Sequence, residues 1–330
     1  MTVTTLSNKQ NLQEILTIGR YFRRKYDTNV FKVPISISGF TCPNIDGTVA
    51  KGGCIYCENE SFSPNLTKAM NRFKLNPQVK ENPFIDAQLN QLEEQYTKTK
   101  IKLAKKHNAK KFIVYFQSFT NTYAPFSTLK ALYDKAFALP DMIGISIGTR
   151  SDSINEEILS YLKEKSEKEN KEVWIEYGVQ SIYDETLKLI NRGHGFENAK
   201  EWILKTKEYG LNVCAHVIFG LPNETQEMML NSFKAVCDIR VNSIKIHPLY
   251  ITKHTRLASL YKKGEFVPMS EEFYLDTLVK AVKMMPKDIV LQRITAGVPD
   301  DTLLSPSWCY EPHTQKNNAK NALKKAGFLY

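Results

Sequence analysis

Nearly continuous apolar runs rich in β-branched residues alternate along this chain with segments whose apolar residues recur at helical spacing. Seven such runs predict strands: Lys32 to Ser38 (KVPISIS), Lys111 to Gln117 (KFIVYFQ), Met142 to Gly148 (MIGISIG), Glu172 to Gly178 (EVWIEYG), Asn212 to Gly220 (NVCAHVIFG), Ser243 to Tyr250 (SIKIHPLY) and Asp288 to Ile294 (DIVLQRI). Runs of this kind suit parallel strands covered on both faces. Between them, Ile85, Leu89, Leu92, Tyr96 and Leu103 mark one face of a helix. Ser153 with Glu156 reads as a capping box ahead of Ile158 and Leu162, and Trp202, Ile203, Thr206 and Tyr209 lead to a terminating Gly210. Further helices are predicted near residues 128 to 138, 184 to 191, 224 to 238 and 271 to 285.

A βα alternation repeated about six times implies parallel strands joined by helical crossovers. The predicted fold class is α/β, a partial (β/α)6 TIM-like barrel. No interdomain linker interrupts it. Residues 31–300 are expected to form the barrel, with residues 1–30 and 301–330 as short extensions.

Composition narrows the setting. With 42% hydrophobic residues and 15 Gly and 14 Pro in 330, the chain is neither disordered nor collagen-like. No run of about 18 apolar residues exists, so no membrane span is expected. The start, MTVTTLSNKQNLQEIL, lacks the basic and apolar regions of a secretory signal, which points to the cytoplasm. In that reducing setting the six Cys read as packed thiols, metal ligands or reactive groups rather than disulfides. Cys214, Cys237 and Cys309 stand alone and read as packed thiols.

The formal charge is +10 and uneven. Residues 61 to 111 hold eleven Lys/Arg against four Asp/Glu, and residues 314 to 330 hold four Lys and no acid. Such faces fit nucleic acid or a nucleotide phosphate, and equally a solvated helix surface.

The most informative stretch follows the first predicted strand: Gly39-Phe40-Thr41-Cys42-Pro43-Asn44-Ile45-Asp46-Gly47, then Gly52-Gly53-Cys54-Ile55-Tyr56-Cys57. In a parallel barrel, chemistry sits at this end of the strands. Cys54 and Cys57 can present two thiolates from one turn, and Gly47, Gly52 and Gly53 let Cys42 join them. Three thiolates fit an iron–sulfur cluster with one open iron, or zinc with a distant fourth ligand. Spacing alone leaves both open, together with coincidence.

Three clustered Cys after a strand, with an aromatic just before the last, resemble the radical S-adenosylmethionine superfamily. The C-x11-C-x2-C spacing is similar to that of its Elongator-like branch. The resemblance continues in Gly148-Thr149-Arg150-Ser151-Asp152, Gly178-Val179-Gln180-Ser181, Arg192-Gly193-His194 and His216-Val217-Ile218-Phe219-Gly220, spanning roughly residues 30 to 300. It implies a 4Fe-4S cluster held by Cys42, Cys54 and Cys57, and S-adenosyl-L-methionine chelated at the open iron. Cofactor contacts are then expected from Tyr56, Gln117, Ser118, Gln180, Arg192, Ile218 and Gly220.

In such enzymes the cluster reductively cleaves the cofactor, and a 5′-deoxyadenosyl radical abstracts hydrogen from substrate. Glu176, His216 and His247 are the catalytic candidates, and Tyr250, Arg293 and Trp308 the substrate-binding ones. Each also fits a structural role, as a buried polar group satisfying a neighbor or a ring filling the barrel mouth. Expected partners are a small nucleoside or nucleotide and an external one-electron reductant such as flavodoxin or ferredoxin, with tRNA less favored and no membrane.

Short flanks leave little room for a second RNA-binding domain. Among stand-alone members the whole chain resembles the queuine lyase family. That resemblance implies cleavage of the N-glycosidic bond of queuosine or its 5′-phosphate to release queuine, a salvage reaction. The alternatives are a radical tRNA- or RNA-modifying enzyme and a zinc-stabilised nucleic-acid-binding module.

Overall fold

The computed structural model describes residues 12–59, 63, 65–66, 74–75, 79 and 81–330. Much of the basic segment 61 to 80, and the first eleven residues of the N-terminal extension, lie outside the described residues.

Seven parallel strands form one sheet in strict chain order: β1 (Val30–Ile35), β2 (Lys111–Phe116), β3 (Met142–Thr149), β4 (Glu172–Gln180), β5 (Asn212–Phe219), β6 (Ser243–Pro248) and β7 (Val290–Arg293). A sheet whose order never reverses keeps every crossover on one side and curls, giving the partial barrel that the alternation predicts. Six main helices cover its outside: α1 (Ile85–His107), α2 (Phe126–Phe137), α3 (Glu156–Glu169), α4 (Phe196–Glu208), α5 (Gln226–Asp238) and α6 (Glu271–Met284). The core lies between sheet and helices, where Leu92, Leu132, Leu159, Ile203, Phe233 and Leu278 are all buried against the strands.

Five strands stop short of their predicted ends, β1 and β6 by the most, and β7 starts two residues late. β1 stops at Ile35 because the backbone of the next residues turns to side chains of α1. Gln95 exchanges two hydrogen bonds with Ser36 (2.9 and 2.8 Å), and Gln91 and Gln88 take the N–H and C=O of Ser38. A file of glutamines thus covers an edge that would otherwise present bare backbone. β6 ends at Pro248, after which Leu249 donates to the Phe219 carbonyl. The capping box at Ser153 does not form. Asn155 caps α3, accepting from Ile158 N at 2.9 Å, while Ser153 closes a short 3-10 turn. Gly210 ends α4 as expected, with φ near +75° just beyond the last turn.

Both extensions are tied to the barrel. Gln13–Glu14 pairs in parallel with Phe328–Leu329, and Leu291 of β7 donates to Leu16, so the N-terminal stretch covers the far sheet edge. Helix Ile18–Tyr26 then plugs one end of the barrel: Phe22 and Tyr21 pack edge-on against Trp174. The buried Glu172 carboxylate there accepts from Trp174 Nε1 at 2.6 Å and from Tyr26 at 3.0 Å. Among the described residues, no helix is long and apolar enough to cross a membrane.

Candidate functional site

At the opposite end, where the strands deliver their C-termini, a cavity of about 760 Å³ opens. That volume is within the usual range for small-molecule sites. Its wall takes in Cys42, Cys54 and Cys57 on one side and residues from β2 through β7 on the other.

The cysteine loop is shaped by glycines and by a one-turn helix, Pro43–Asp46. Gly47, Gly52 and Gly53 all have φ between +74° and +97°, a region in which a Cβ is strained, so the loop reverses only with glycine there. Cys54 is buried and all three thiols are free. Burial pushes the Cys57 thiol far up, and the fields of Cys54 and Cys42 push it further, so the three sulfurs share one neighborhood.

The three cysteines are spread wider than a tetrahedral zinc site would hold them. A tetrahedral zinc site at 2.3 Å per sulfur draws its sulfurs to about 3.8 Å of one another. Among the described residues, however, only Glu176, Cys214 and His216 form a trio of ligand atoms within 4.8 Å. The cysteines are therefore spread wider than zinc requires. The Glu176 trio is itself unsuited to a cation, since both carboxylate oxygens already face ammonium groups.

Behind the cysteines lies a polar layer built from alternate, inward-pointing strand positions. Glu176 on β4 is its hub and is 1% exposed. Lys32 Nζ lies 2.5 Å from Glu176 Oε1, Ser146 Oγ donates to the same oxygen at 2.6 Å, and Lys245 and His216 (2.9 Å) share Oε2. Lys245 also reaches the Tyr115 hydroxyl at 3.1 Å and lies over its ring. Burial alone pushes the Glu176 carboxyl up, but Lys245, Lys32 and His216 outweigh it and hold it well below the usual carboxylate range. Burial, then Lys245, pushes His216 down to about 4. His247, whose ring centroid lies 5.4 Å from that of His216, is held well below its ordinary value by burial and then Arg293. Both imidazoles are therefore neutral at pH 7, each with one ring nitrogen to donate and one to accept a hydrogen bond.

Of the residues singled out from sequence, the structure brings together on this cavity Cys42, Cys54, Cys57, Tyr56, Gln117, Glu176, Gln180, Arg192, His216, Ile218, His247, Tyr250 and Arg293. Three others stand elsewhere. The Ser118 hydroxyl is buried among those of Ser36 (2.6 Å) and Ser63 (2.5 Å), because Phe119 turns the chain with φ +61°. Gly220 lines a separate small hollow with Met229 and Met269; its N–H meets Met229 Sδ at 3.0 Å. Trp308 stacks on Tyr274 (5.3 Å) and donates its indole N–H to the Met269 carbonyl, so it packs α6 rather than facing the cavity.

Sequence reasoning passed over Lys32, Tyr115, Ser146, Lys245 and Gln292. Their signal was present: each is a polar or hydroxyl-bearing residue inside an otherwise apolar strand, on the parity that faces the barrel interior. Arg150, beside the cysteine loop, and Asn44, within it, carry no role in the sequence reading.

Comparison with known proteins gives a consistent picture. The Radical SAM superfamily pattern matches residues 47–236, and the Radical_SAM C-terminal domain pattern matches residues 241–325. The uncharacterized protein YtqA of Bacillus subtilis is 34% identical over 295 residues, covering 88% of this chain and 84% of that protein. A tRNA uridine(34) acetyltransferase of Methanocaldococcus infernus is 34% identical over 161 residues, 48% of this chain and 29% of that enzyme. Among solved structures, the archaeal Elp3 of Methanocaldococcus infernus superimposes with a TM-score of 0.61 at 20% identity, covering 91% of this chain and 64% of that one. It shares the fold.

Proposed function

This chain belongs to the radical SAM superfamily, and on that premise we propose that it cleaves the N-glycosidic bond of queuosine or its 5′-phosphate, releasing queuine. Membership implies a 4Fe-4S cluster, S-adenosylmethionine and an electron from an external reductant such as flavodoxin or ferredoxin; Cys42, Cys54 and Cys57 are the residues that would hold the cluster. When bound, that pair of cofactors supplies a carbon radical able to take hydrogen from an unactivated C–H bond.

The observation that carries the small-substrate reading is the cavity itself. At about 760 Å³ it has room for a small molecule beside the cofactor, and the side chains at its floor are joined in one hydrogen-bonded network around Glu176. Arg293, Tyr250 and the neutral His247 line its far side, where they can orient a ribose or base. His216, held 2.9 Å from the ionised Glu176, would orient the departing base, which takes its proton from water, while one electron from the external reductant quenches the sugar radical left behind.

Anaerobic incubation with reductant, S-adenosylmethionine and queuosine tests the reading. Equimolar 5′-deoxyadenosine and queuine are expected. Formation of 5′-deoxyadenosine without queuine overturns it.

A second reading, modification of tRNA by the same radical chemistry, is supported by the partial likeness to the archaeal tRNA uridine(34) acetyltransferase. Retention of tRNA at physiological salt, with affinity falling steeply as salt rises, would favor it.

A further inference from the structure

Arg192 is buried, 6% exposed, beside the cysteine loop. Its Nη2 donates to the Gly178 carbonyl at 2.6 Å, its Nη1 lies 3.9 Å from Cys54 Sγ, and its Nε has no partner. Space for the guanidinium exists because residue 178 is glycine: a Cβ there would come within 2.8 Å of Nη2. Among the described residues Arg192 makes no salt bridge, whereas the neighboring Arg150 is matched by Asp152 in a two-pronged pair at 2.8 and 2.5 Å. A cation withdrawn from water is stabilised by nearby anions; Arg192 acts at a distance on the Asp152 carboxylate, and the group its Nη1 directly faces is a cysteine sulfur.

The segment carrying Arg192 also grips the cysteine loop through direct hydrogen bonds. Ile55 N donates to the Ile190 carbonyl at 3.1 Å, and Asn191 Nδ2 donates to the carbonyls of Gly53 (2.7 Å) and Lys51 (3.1 Å). In return Asn44 Nδ2 donates to the Asn191 carbonyl and lies 3.6 Å from Cys54 Sγ. A Cβ on Gly193, whose φ is +84°, would sit 2.6 Å from Asn44 Oδ1, so close approach of the two segments depends on that glycine. Two N–H donors from outside the cysteine set therefore converge on the Cys54 sulfur.

We propose that Arg192, with Asn44, is a positioning residue for the cluster rather than a clamp on the cofactor carboxylate: its buried charge offsets the Cys54 thiolate and raises the reduction potential of the cluster bound there. This rests on the iron–sulfur reading above. One-electron reduction adds negative charge to the cluster, and a fixed cation in a poorly screened site favors the reduced form. Hydrogen bonds to the ligating sulfur act in the same direction.

The test uses the full chain reconstituted anaerobically, as wild type, Arg192→Gln, Arg192→Lys and Asn44→Ser. Iron and sulfide content, thermal melting and an electron-paramagnetic-resonance redox titration without S-adenosylmethionine are measured on each. A more negative midpoint potential is expected in Arg192→Gln and Asn44→Ser, with Arg192→Lys returning toward wild type. A folded Arg192→Gln that loads no cluster, beside a loaded Arg192→Lys, supports the same role. Gln and Lys variants that both load at the wild-type potential, or both fail to load, overturn it. Absence of iron from the wild type overturns the underlying cluster reading instead.

Discussion

Lys32 and Glu176 meet at 2.5 Å across the barrel interior, joining an edge strand to the middle strand of the seven. The same ammonium reaches Gln292 Oε1 at 2.8 Å on the opposite edge strand. β1 and β7 share no backbone ladder, so this side-chain bridge ties the two edges where the barrel is open. It forms only when three strands far apart in sequence are in place, which makes it a register device as well as an ion pair.

Removing the carboxylate from this hub should be costly. Glu176→Gln leaves Lys32 and Lys245 in the interior without an anion, and loss of one partner from a buried pair destabilises by about 3–5 kcal/mol. Lys32→Met should lose less, because Lys245 still faces the carboxylate. Urea unfolding of the two variants measures the difference. A loss under about 1 kcal/mol for Glu176→Gln would show that the layer is hydrated.

Stability should also fall on mild acidification, through His216. Its folded pKa is depressed to about 4 by burial and then Lys245, while an unfolded histidine titrates near 6.5. Between those values the unfolded chain binds the extra proton, so stability is full above about pH 6.5 and declines as pH falls toward 4. That difference is worth on the order of 3 kcal/mol. Unfolding free energies for wild type and His216→Gln at pH 7.5 and 5 should diverge accordingly. Parallel pH dependence in the two proteins would assign the titration elsewhere.

Much of this arrangement was legible in the sequence, and the parts that were not share a physical cause. Buried parallel strands read as apolar runs, so the seven strands from Lys32 to Ile294 were found close to their observed bounds. The glycine-rich cysteine loop stood out because no core position needs three Cys and three Gly so close together. Lys32 and Lys245 were hidden for the converse reason. A lysine in an apolar run looks like an exposed interruption until the curl of the sheet turns that side inward. Ser118, Gly220 and Trp308 stand off the cavity because of chain reversals at Phe119 and Gly220 and the packing of residues 307–309 on α6, tertiary facts without a local pattern.

Two glycines should respond differently to the same change. A Cβ on Gly144 of β3 would lie 2.2 Å from the Glu172 carbonyl oxygen, a backbone atom that cannot swing away. Gly144→Ala should therefore destabilise the chain by about 3 kcal/mol or more. On Gly178 the obstructing atoms are the ends of the Gln180 and Arg192 side chains, which can move. Gly178→Ala should melt within a few degrees of wild type yet bind the cluster poorly. Equal melting losses in both variants would contradict this distinction.

Metal content is the most direct check on the cysteine loop. Anaerobically purified protein should contain about four irons and matching sulfide per chain, and Cys54→Ala should lose them while keeping its fold. One zinc per chain and no iron would return the site to a structural role.

Arg293 lines the cavity, whereas Trp308 packs against α6. Arg293 lines the cavity at the end of β7, so Arg293→Gln, which removes a charged donor, should raise KM by about tenfold or more with little effect on melting. Trp308 contributes an indole hydrogen bond to Met269 and a stacked ring on Tyr274. Trp308→Phe keeps most of the ring and loses the bond, which should cost about 1 kcal/mol of stability. KM and kcat should be unchanged, because the ring faces α6 and not the substrate. Steady-state kinetics beside thermal melts would reverse the assignment if Trp308→Phe raised KM without lowering stability.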